Sequence, residues 1–292
     1  GKTELLKEAK GITKKHKKMN LKSLLVKASN SSERYCTTKS NDPFDKASLA
    51  KKILRDTMPY ITKRKKAEFS YKIKNYNRSI GANISGVIAK LYGNYGLSKT
   101  PITLNLNGTA GQSLGAWNAG GLNIILTGDS NDYVGKGMAA GKITLKTSSA
   151  LKAKADEMII IGNTCLYGAT GGKLFAEGIA GERFAVRNSG CAAVIEGSGD
   201  HTCEYMTGGS VIVLGKTGNN FGAGMTGGLA FVYDEQKLFK NKINNQSVEI
   251  RSLNDKKLKN HQNYLLKLIK EHFKETKSLK AKFIIDNFNK CL

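Results

Sequence analysis

The sequence predicts an all-β core. It is a parallel β-helix, a single-stranded solenoid of about seven turns, with an irregular basic segment before it and capping helices after it. Three observations predict this. Glycine recurs at a first mark, Gly108, Gly128, Gly162, Gly181, Gly199 and Gly218, spaced by 20, 34, 19, 18 and 19 residues. A second mark falls at Gly120, Gly141, Gly172, Gly190, Gly209 and Gly228. Two and four residues beyond it stand the apolar pairs Leu122/Ile124, Ile143/Leu145, Leu174/Ala176, Ala192/Val194, Val211/Val213 and Ala230/Val232. Directly after each first mark comes a polar residue: Thr109, Asp129, Asn163, Glu182, Asp200 and Asn219.

A unit too short to bury its own apolar face must stack on its neighbours. Each unit then makes one turn of the coil, and its strand pairs with strands ~4.8 Å away in the turns on either side. The apolar pair points inward. The marked glycines are structural corners, where the chain turns sharply or needs positive φ. The polar residue after a corner faces solvent or bonds the corner backbone.

The elements follow in order. Residues 1–75 read as a Lys-rich linker or packing segment. Leu5, Leu6, Leu21, Leu24, Leu25 and Val26 are short apolar anchors in it, and 48–56 is a short helix stopped before Pro59. Residues 76–235 hold the solenoid. Its entry, 79–88, alternates around Gly81 and Gly86 and is counted as a turn, and 102–106 is a period-two strand. The long interval holds a polar insertion, 146–157, expected as a loop on one face. Residues 236–292 form a helical cap, with one amphipathic helix over 264–273 and another marked by Leu279, Phe283, Ile284 and Phe288. The helices are expected to cover the solenoid's open edge, whose strand groups would otherwise lack partners.

Charge is unevenly placed. Of the net +24, residues 1–78 carry +15, residues 79–233 only +2 and residues 234–292 +7. A basic flank suits nucleic acid or an anionic surface. The near-neutral repeat argues against nucleic acid, and a Lys-rich drift in composition accounts for the flanks. No apolar run approaches the ~20 residues of a membrane helix, so no membrane partner is expected. The cysteines number five, Cys36, Cys165, Cys191, Cys203 and Cys291, with no CxxC pair. They read as reduced thiols of a cytoplasmic protein.

The motifs that invite chemistry are weak. Gly222 to Gly227 matches GxGxxG, but a strand follows where dinucleotide binding needs a helix N-terminus. Gly215-Lys216-Thr217 resembles the end of a phosphate loop, yet Ser210 stands where that loop needs glycine. Asp200, His201, Cys203 and Glu204 cluster within one turn, with Cys165 two turns away at nearly the same register, but one His without a close ligand pair reads as solvated corner residues. Glu182, Arg183 and Arg187 read as surface ion pairing along the stack. No catalytic, cofactor-binding or metal-ligating residue is assigned.

Certain strings are specific. Asn163 to Gly172 (NTCLYGATGG), Gly181 to Gly190 (GERFAVRNSG), Gly199 to Gly209, Gly111-Gln112-Ser113 and Asn131 to Gly137 resemble the C-terminal GXGXG domain of the glutamate synthase large subunit. The resemblance is strong over about 75–235 and looser over the flanks, and it implies a piece of a longer chain. It implies a right-handed β-helix, the scaffold of an enzyme that makes two glutamates from glutamine, 2-oxoglutarate and reductant. It also implies an amidotransferase domain and a barrel with FMN and an iron–sulfur cluster as partners, and a small NAD(P)H-oxidising FAD subunit as a further one. The chain itself is expected to bind none of these cofactors and to be inactive alone. The location implied is the cytoplasm, or the plastid of a eukaryote. Where the family has Asn-Thr-Asp-Arg this chain has Asn75-Tyr76-Asn77-Arg78, which puts an ion pair or turn bond there in doubt. The GXGXG-bearing component of another redox enzyme, such as formylmethanofuran dehydrogenase, is the alternative, and a basic nucleic-acid module is a third reading.

Overall fold

The computed structural model describes residues 13–14, 48–93, 95–148, 155–246 and 248–292. Residues 46–292 form one compact unit and carry every helix and strand among the described residues. The apolar anchors read between Leu5 and Val26, and residues 149–154 of the insertion, lie outside the described residues.

The strands in chain order are β1 (Ala67–Ile73), β2 (Ile102–Ala110), β3 (Leu122–Ser130), β4 (Lys142–Lys146), β5 (Ile159–Ile161), β6 (Lys173–Ala176), β7 (Ile179–Ala180), β8 (Ser189–Ile195), β9 (Gly197–Ser198), β10 (Thr207–Val213) and β11 (Gly227–Val232). The main face stacks β1, β2, β3, β4, β6, β8, β10 and β11 in that order, all parallel. A second, narrow face runs from the end of β3 through β5, β7 and β9. The parallel solenoid read in the glycine spacing is the observed architecture. The ladder starts at Ala67, inside the segment read as linker.

The apolar pairs stack as columns. Leu104, Ile124, Ile143, Leu174, Ala193 and Val211 pair in consecutive register and are fully buried. Leu106, Leu126, Leu145 and Ala176 form a second column, continued by Ile195 and Val213. Two pairs differ from their reading. On β3 the stacked pair is Ile124 and Leu126, with Leu122 inward but one step earlier. The inward residues of β8 are Ala193 and Ile195, not Ala192 and Val194, because Lys173 aligns with Ala192 and so Cys191, not Gly190, takes the place of Gly172. A slip of one residue moves a strand's side chains to the opposite face.

Val194 is nevertheless buried, because the outer face is also covered. Phe175, Val194, Ile212 and Phe231 stand in register on the outside of β6, β8, β10 and β11. Leu265, Leu268 and Ile269 of one helix and Ala281 and Ile284 of the next seal them. Burial of each such side chain contributes roughly 1.5–3 kcal/mol. Lys142–Glu275 and Lys173–Glu271, each 2.5 Å, tie sheet to helix at the margin. The cap helices therefore lie across the outer sheet face rather than over the open edge. The interior at that end is closed by Phe239 and Ile243, with Phe239 edge-on to Phe221 at 5.1 Å.

The helices are α1 (Ser48–Thr62), α2 (Ala82–Tyr92), α3 (Lys259–Thr276), α4 (Leu279–Asp286) and α5 (Phe288–Cys291). Two of them overturn expectations. α1 runs through Pro59 instead of stopping before it, because Ile53, Thr57 and Ile61 form one buried face that spans the proline. The entry at 79–88 begins as a loop corner, with Ser79 and Gly81 at positive φ, and then becomes α2. Ile84 and Ile88, four apart, are buried on one side of that helix, so the apolar spacing there is helical rather than alternating.

Gly86 sits inside α2 with no atom within 4 Å of where a Cβ would stand. Gly86→Ala is expected to stabilise the chain by about 0.5–1 kcal/mol in chemical denaturation, since the backbone is already helical and nothing obstructs the methyl.

Candidate functional site

The third face of the solenoid is made of six aligned loops, and it is where the specific strings lie. Each loop carries positive φ at alternate residues: Ser113, Gly115 and Trp117; Tyr133, Gly135 and Gly137; Thr164, Leu166 and Gly168; Arg183, Ala185 and Arg187; His201, Cys203 and Tyr205; Asn220, Gly222 and Gly224. Most of these are not glycine. The cost of a left-handed non-glycine residue is roughly 1 kcal/mol or more, so something must hold each one.

Backbone hydrogen bonds hold them. In the second loop, Tyr133 N donates to Asn163 O at 2.9 Å, Gly135 N to Leu114 O at 2.9 Å and Gly137 N to Tyr167 O at 2.8 Å. The outer two amides reach the following turn and the middle one the preceding turn. The same alternation holds for Thr164, Leu166 and Gly168, for Arg183, Ala185 and Arg187, and for His201, Cys203 and Tyr205. Some amides between or just after them close tight turns on the loop itself, as Lys136 N does on Tyr133 O and Ala169 N on Leu166 O. Gly222, the first glycine of the GxGxxG match, donates to Thr202 O, and β11 follows, so the match is one more solenoid loop.

The marked glycines fall into two groups. Gly108, Gly128, Gly141, Gly172, Gly209 and Gly228 have positive φ. Gly162, Gly181, Gly199 and Gly218 do not. At each of them the backbone of the preceding turn occupies the place of a Cβ, as does Thr170 O at Gly190. At the remaining mark, Gly120, the positive φ belongs to its neighbour Gly121.

The polar residues after the first mark form their own ladder. Asn163 Oδ1 accepts from Glu182 N at 2.8 Å and Asp200 Oδ1 from Asn219 N at 2.6 Å, while Asp132 Oδ1 accepts from Asn163 N at 2.8 Å. Asn77 Oδ1 accepts from Lys74 N at 2.9 Å, so the turn bond at the departed Asn75–Arg78 string is kept by the amide.

Of the group read as solvated corner residues, the histidine and the cysteines part company. Cys203 and Cys165 point into the core and are fully buried, so Cys203 is no solvated corner residue. His201 stays at the surface, with Nδ1 3.0 Å from Asn220 and 4.0 Å from Glu204. Burial pushes the Cys165 and Cys191 thiols up to about 12 and raises that of Cys203 as well. An iron–sulfur cluster needs several cysteine sulfurs that converge on one point. Among the described residues no group of three metal-binding side chains converges. The ion pairing read for the Glu182, Arg183 and Arg187 patch is also absent. Both arginines are exposed and neither pairs with an acid among the described residues; Arg187 instead lies 5.9 Å from the Tyr205 ring.

Reading the sequence missed two features. One is a sealed polar junction between solenoid and cap, in which Glu196 Oε1 accepts from Ser278 Oγ and lies 3.5 Å from His272 Nε2, all three at most 2% exposed. Ser278 also caps α4 by accepting from Ala281 N. The spacing of Glu177 and Glu196, 19 residues, is the repeat itself and could have flagged two buried acids at one corner. The other is a cleft of about 680 Å³ beside that junction, lined by Asp156, Glu196, Lys216, Tyr233, Glu235 and Lys280. Lys280 occupies its wall, 3.3 Å from Glu235, 4.0 Å from Asp156 and 5.6 Å from the Tyr233 ring centre. Lys280 thus answers two of the cleft's acids.

The GXGXG motif family model matches residues 46–292. The chain is 51% identical over 226 residues to a ferredoxin-dependent glutamate synthase of Pyropia yezoensis, covering 76% of this chain and 14% of that protein. It is 46% identical over 237 residues to the glutamate synthase [NADPH] large chain of Bacillus subtilis, 81% of this chain and 15% of that protein. It is 42% identical over 299 residues to ferredoxin-dependent glutamate synthase 2, chloroplastic, of Arabidopsis thaliana, all of this chain and 18% of that protein. The chain thus spans under a fifth of the length of these relatives. Among the described residues no helix is long and apolar enough to cross a membrane.

Glu196→Ala is expected to cost about 3 kcal/mol or more, because it strands buried His272 and Ser278 without their acceptor, and urea unfolding followed by circular dichroism measures it. With thiols raised to about 12, the thiolate fraction at pH 8 is on the order of 10⁻⁴. Iodoacetamide at that pH should therefore leave Cys165, Cys191 and Cys203 unmodified in the native chain and label them once it is unfolded. Native labelling of Cys203 at the unfolded rate would contradict the sealed core.

Proposed function

The chain belongs to the GXGXG motif family, and from that premise we propose that it is the structural solenoid domain of a glutamate synthase large subunit. On this reading the solenoid, from β1 to residue 235, is the scaffold, the chain before β1 a packing segment and 236–292 the helical cap. The parent enzyme converts glutamine, 2-oxoglutarate and reductant to two glutamates, in an amidotransferase domain and an FMN and iron–sulfur barrel outside this chain. The solenoid holds those domains at a fixed separation. A small NAD(P)H-oxidising FAD subunit is a further partner where the reductant is a nicotinamide, and the compartment is the cytoplasm or a plastid.

One observation carries the reading. The amides of the left-handed residues in the first five loops are bonded to adjacent turns, which leaves those residues unable to cradle a phosphate or an oxyanion. A loop face built this way is a spacer, rigid in shape and poor in chemistry. The kinship with glutamate synthases over most of the chain supplies the enzyme to which the spacer belongs.

The test is direct. Residues 1–292 alone are expected to show β-rich circular dichroism, to leave FMN fluorescence unquenched and to form no glutamate from glutamine and 2-oxoglutarate. Stoichiometric FMN binding or glutamate formation by this chain alone would falsify the reading.

A further inference from the structure

The loop face presents large side chains to solvent in an ordered way. Trp117 is 62% exposed, Tyr205 53% and Tyr133 36%, although each is fixed by a backbone amide bonded to the next turn. Scattered exposed aromatics need no explanation. These are not scattered. Trp117, Gly137, Gly168, Arg187, Tyr205 and Gly224 hold the same third position in successive loops and so form one column up the face. The Trp117 ring overlies Gly137 and the Tyr205 ring overlies Gly224. Over Gly168 no described atom lies within 4 Å of where a Cβ would stand, so a notch one turn high opens directly below Arg187.

Charge on the face is unbalanced locally. Arg183 and Arg187 are exposed and make no ion pair among the described residues. The acids near them are engaged elsewhere, Asp132 and Asp200 on backbone amides and Glu204 beside His201, while Glu182 forms no pair with either arginine. Trp, Tyr and Arg are the residues that dominate protein interfaces when buried together. An arginine fork without an acidic partner matches a carboxylate.

We propose that this column is a docking face for a carboxylate-bearing segment of another domain of the same polypeptide, seated in the Gly168 notch between Trp117 and Arg187, with Arg183 on the same loop as Arg187. The proposal rests on the scaffold reading and specifies which face of the scaffold is covered. A protein occupant fits this face better than a nucleic acid, because residues 79–233 carry a net charge of only +2. It also fits the length of the relatives, of which this chain spans 14 to 18%.

The test compares hydroxyl-radical footprints of the full-length enzyme and of residues 1–292. Trp117 is the single tryptophan of the chain, which makes its oxidation product unambiguous in a peptide digest. Trp117 and Tyr205 are expected to oxidise at least about fivefold more slowly in the full-length enzyme, as buried interface cores do. Tyr76 and Tyr95, on other loops, should keep their rates. Arg183→Asn with Arg187→Asn removes both charges with a residue that tolerates left-handed φ. In the full-length enzyme that double variant should return the Trp117 rate to within about twofold of the isolated chain. Equal rates for Trp117 in both wild-type proteins overturn the proposal. If α4, with exposed Leu279 and Phe283, is protected instead, the scaffold reading stands and the face is wrong. If no residue of the chain is protected, the scaffold reading fails too. Protection of Trp117 by added single-stranded RNA, but not by the rest of the enzyme, also overturns the proposal.

Discussion

Every other feature of this molecule depends on the bonding of the loop amides to both neighbouring turns. In an ordinary parallel ladder, β-strand backbone sends its amides alternately to the two sides. Here loops at alternating left-handed φ achieve the same alternation in a chain that is bending. Tyr133, Gly135 and Gly137 donate forward, backward and forward again. The solenoid is therefore hydrogen-bonded around most of its circumference, not only along its sheets. A loop stacked in this way cannot shift without breaking bonds in two other loops, which is why left-handed residues as bulky as Trp117, Leu166 and Arg187 are tolerated.

That constraint propagates inward and outward. Inward, it fixes which residues fill the coil. The second residue of each loop motif points to the interior, giving the buried series Leu114, Val134, Cys165, Phe184, Thr202 and Phe221. Outward, the sheet presents a second apolar column that the coil cannot bury, and α3 exists to cover it. The buried Glu196, His272 and Ser278 mark where the cap meets the corner after β8. A charged or polar group removed from water at a junction penalises any misaligned docking of the helices. The apolar column supplies the attraction and the polar junction supplies the register.

Much of this architecture was legible in the sequence, because a repeat converts one physical requirement into six observations. Glycine where a neighbouring turn leaves no room for a Cβ, and alternating apolar residues where strands stack, recur at nearly constant spacing. What was not legible follows from the same logic. At β8 the corner glycine is replaced by Cys191, whose small side chain the site accepts, and counting from Gly190 moved the inward pair by one residue. At 79–88 the chain starts a loop motif and leaves it. Ile84 and Ile88 satisfy both an alternating and a helical pattern, and only packing decides between them. Pro59 carries a local cost to the helix, yet Ile53 and Ile61 are buried on either side and carry the helix through it. Cys203 was read as a polar corner because its neighbours are polar, whereas its left-handed backbone turns it into the core. The partners of the loop amides were invisible for a different reason: backbone groups leave no trace in residue identity.

Such a frame contributes to function only in certain ways. A catalytic loop needs free donors, a titratable group near its working pH and room for a substrate. The left-handed residues of these loops have committed their amides, and the loop cysteines Cys165 and Cys203 are buried. What remains is shape and surface. Because the backbone is fixed in two directions, a side chain such as Trp117 or Arg187 is presented at a set height and angle, with little freedom left to lose on contact. Pre-organised contacts of that kind bind with less entropic cost than flexible ones. A solenoid whose left-handed loop residues direct their amides to its own turns therefore presents its loop side chains in a fixed array. The exposed column on its loop face is the part of the surface that this rigidity would make effective.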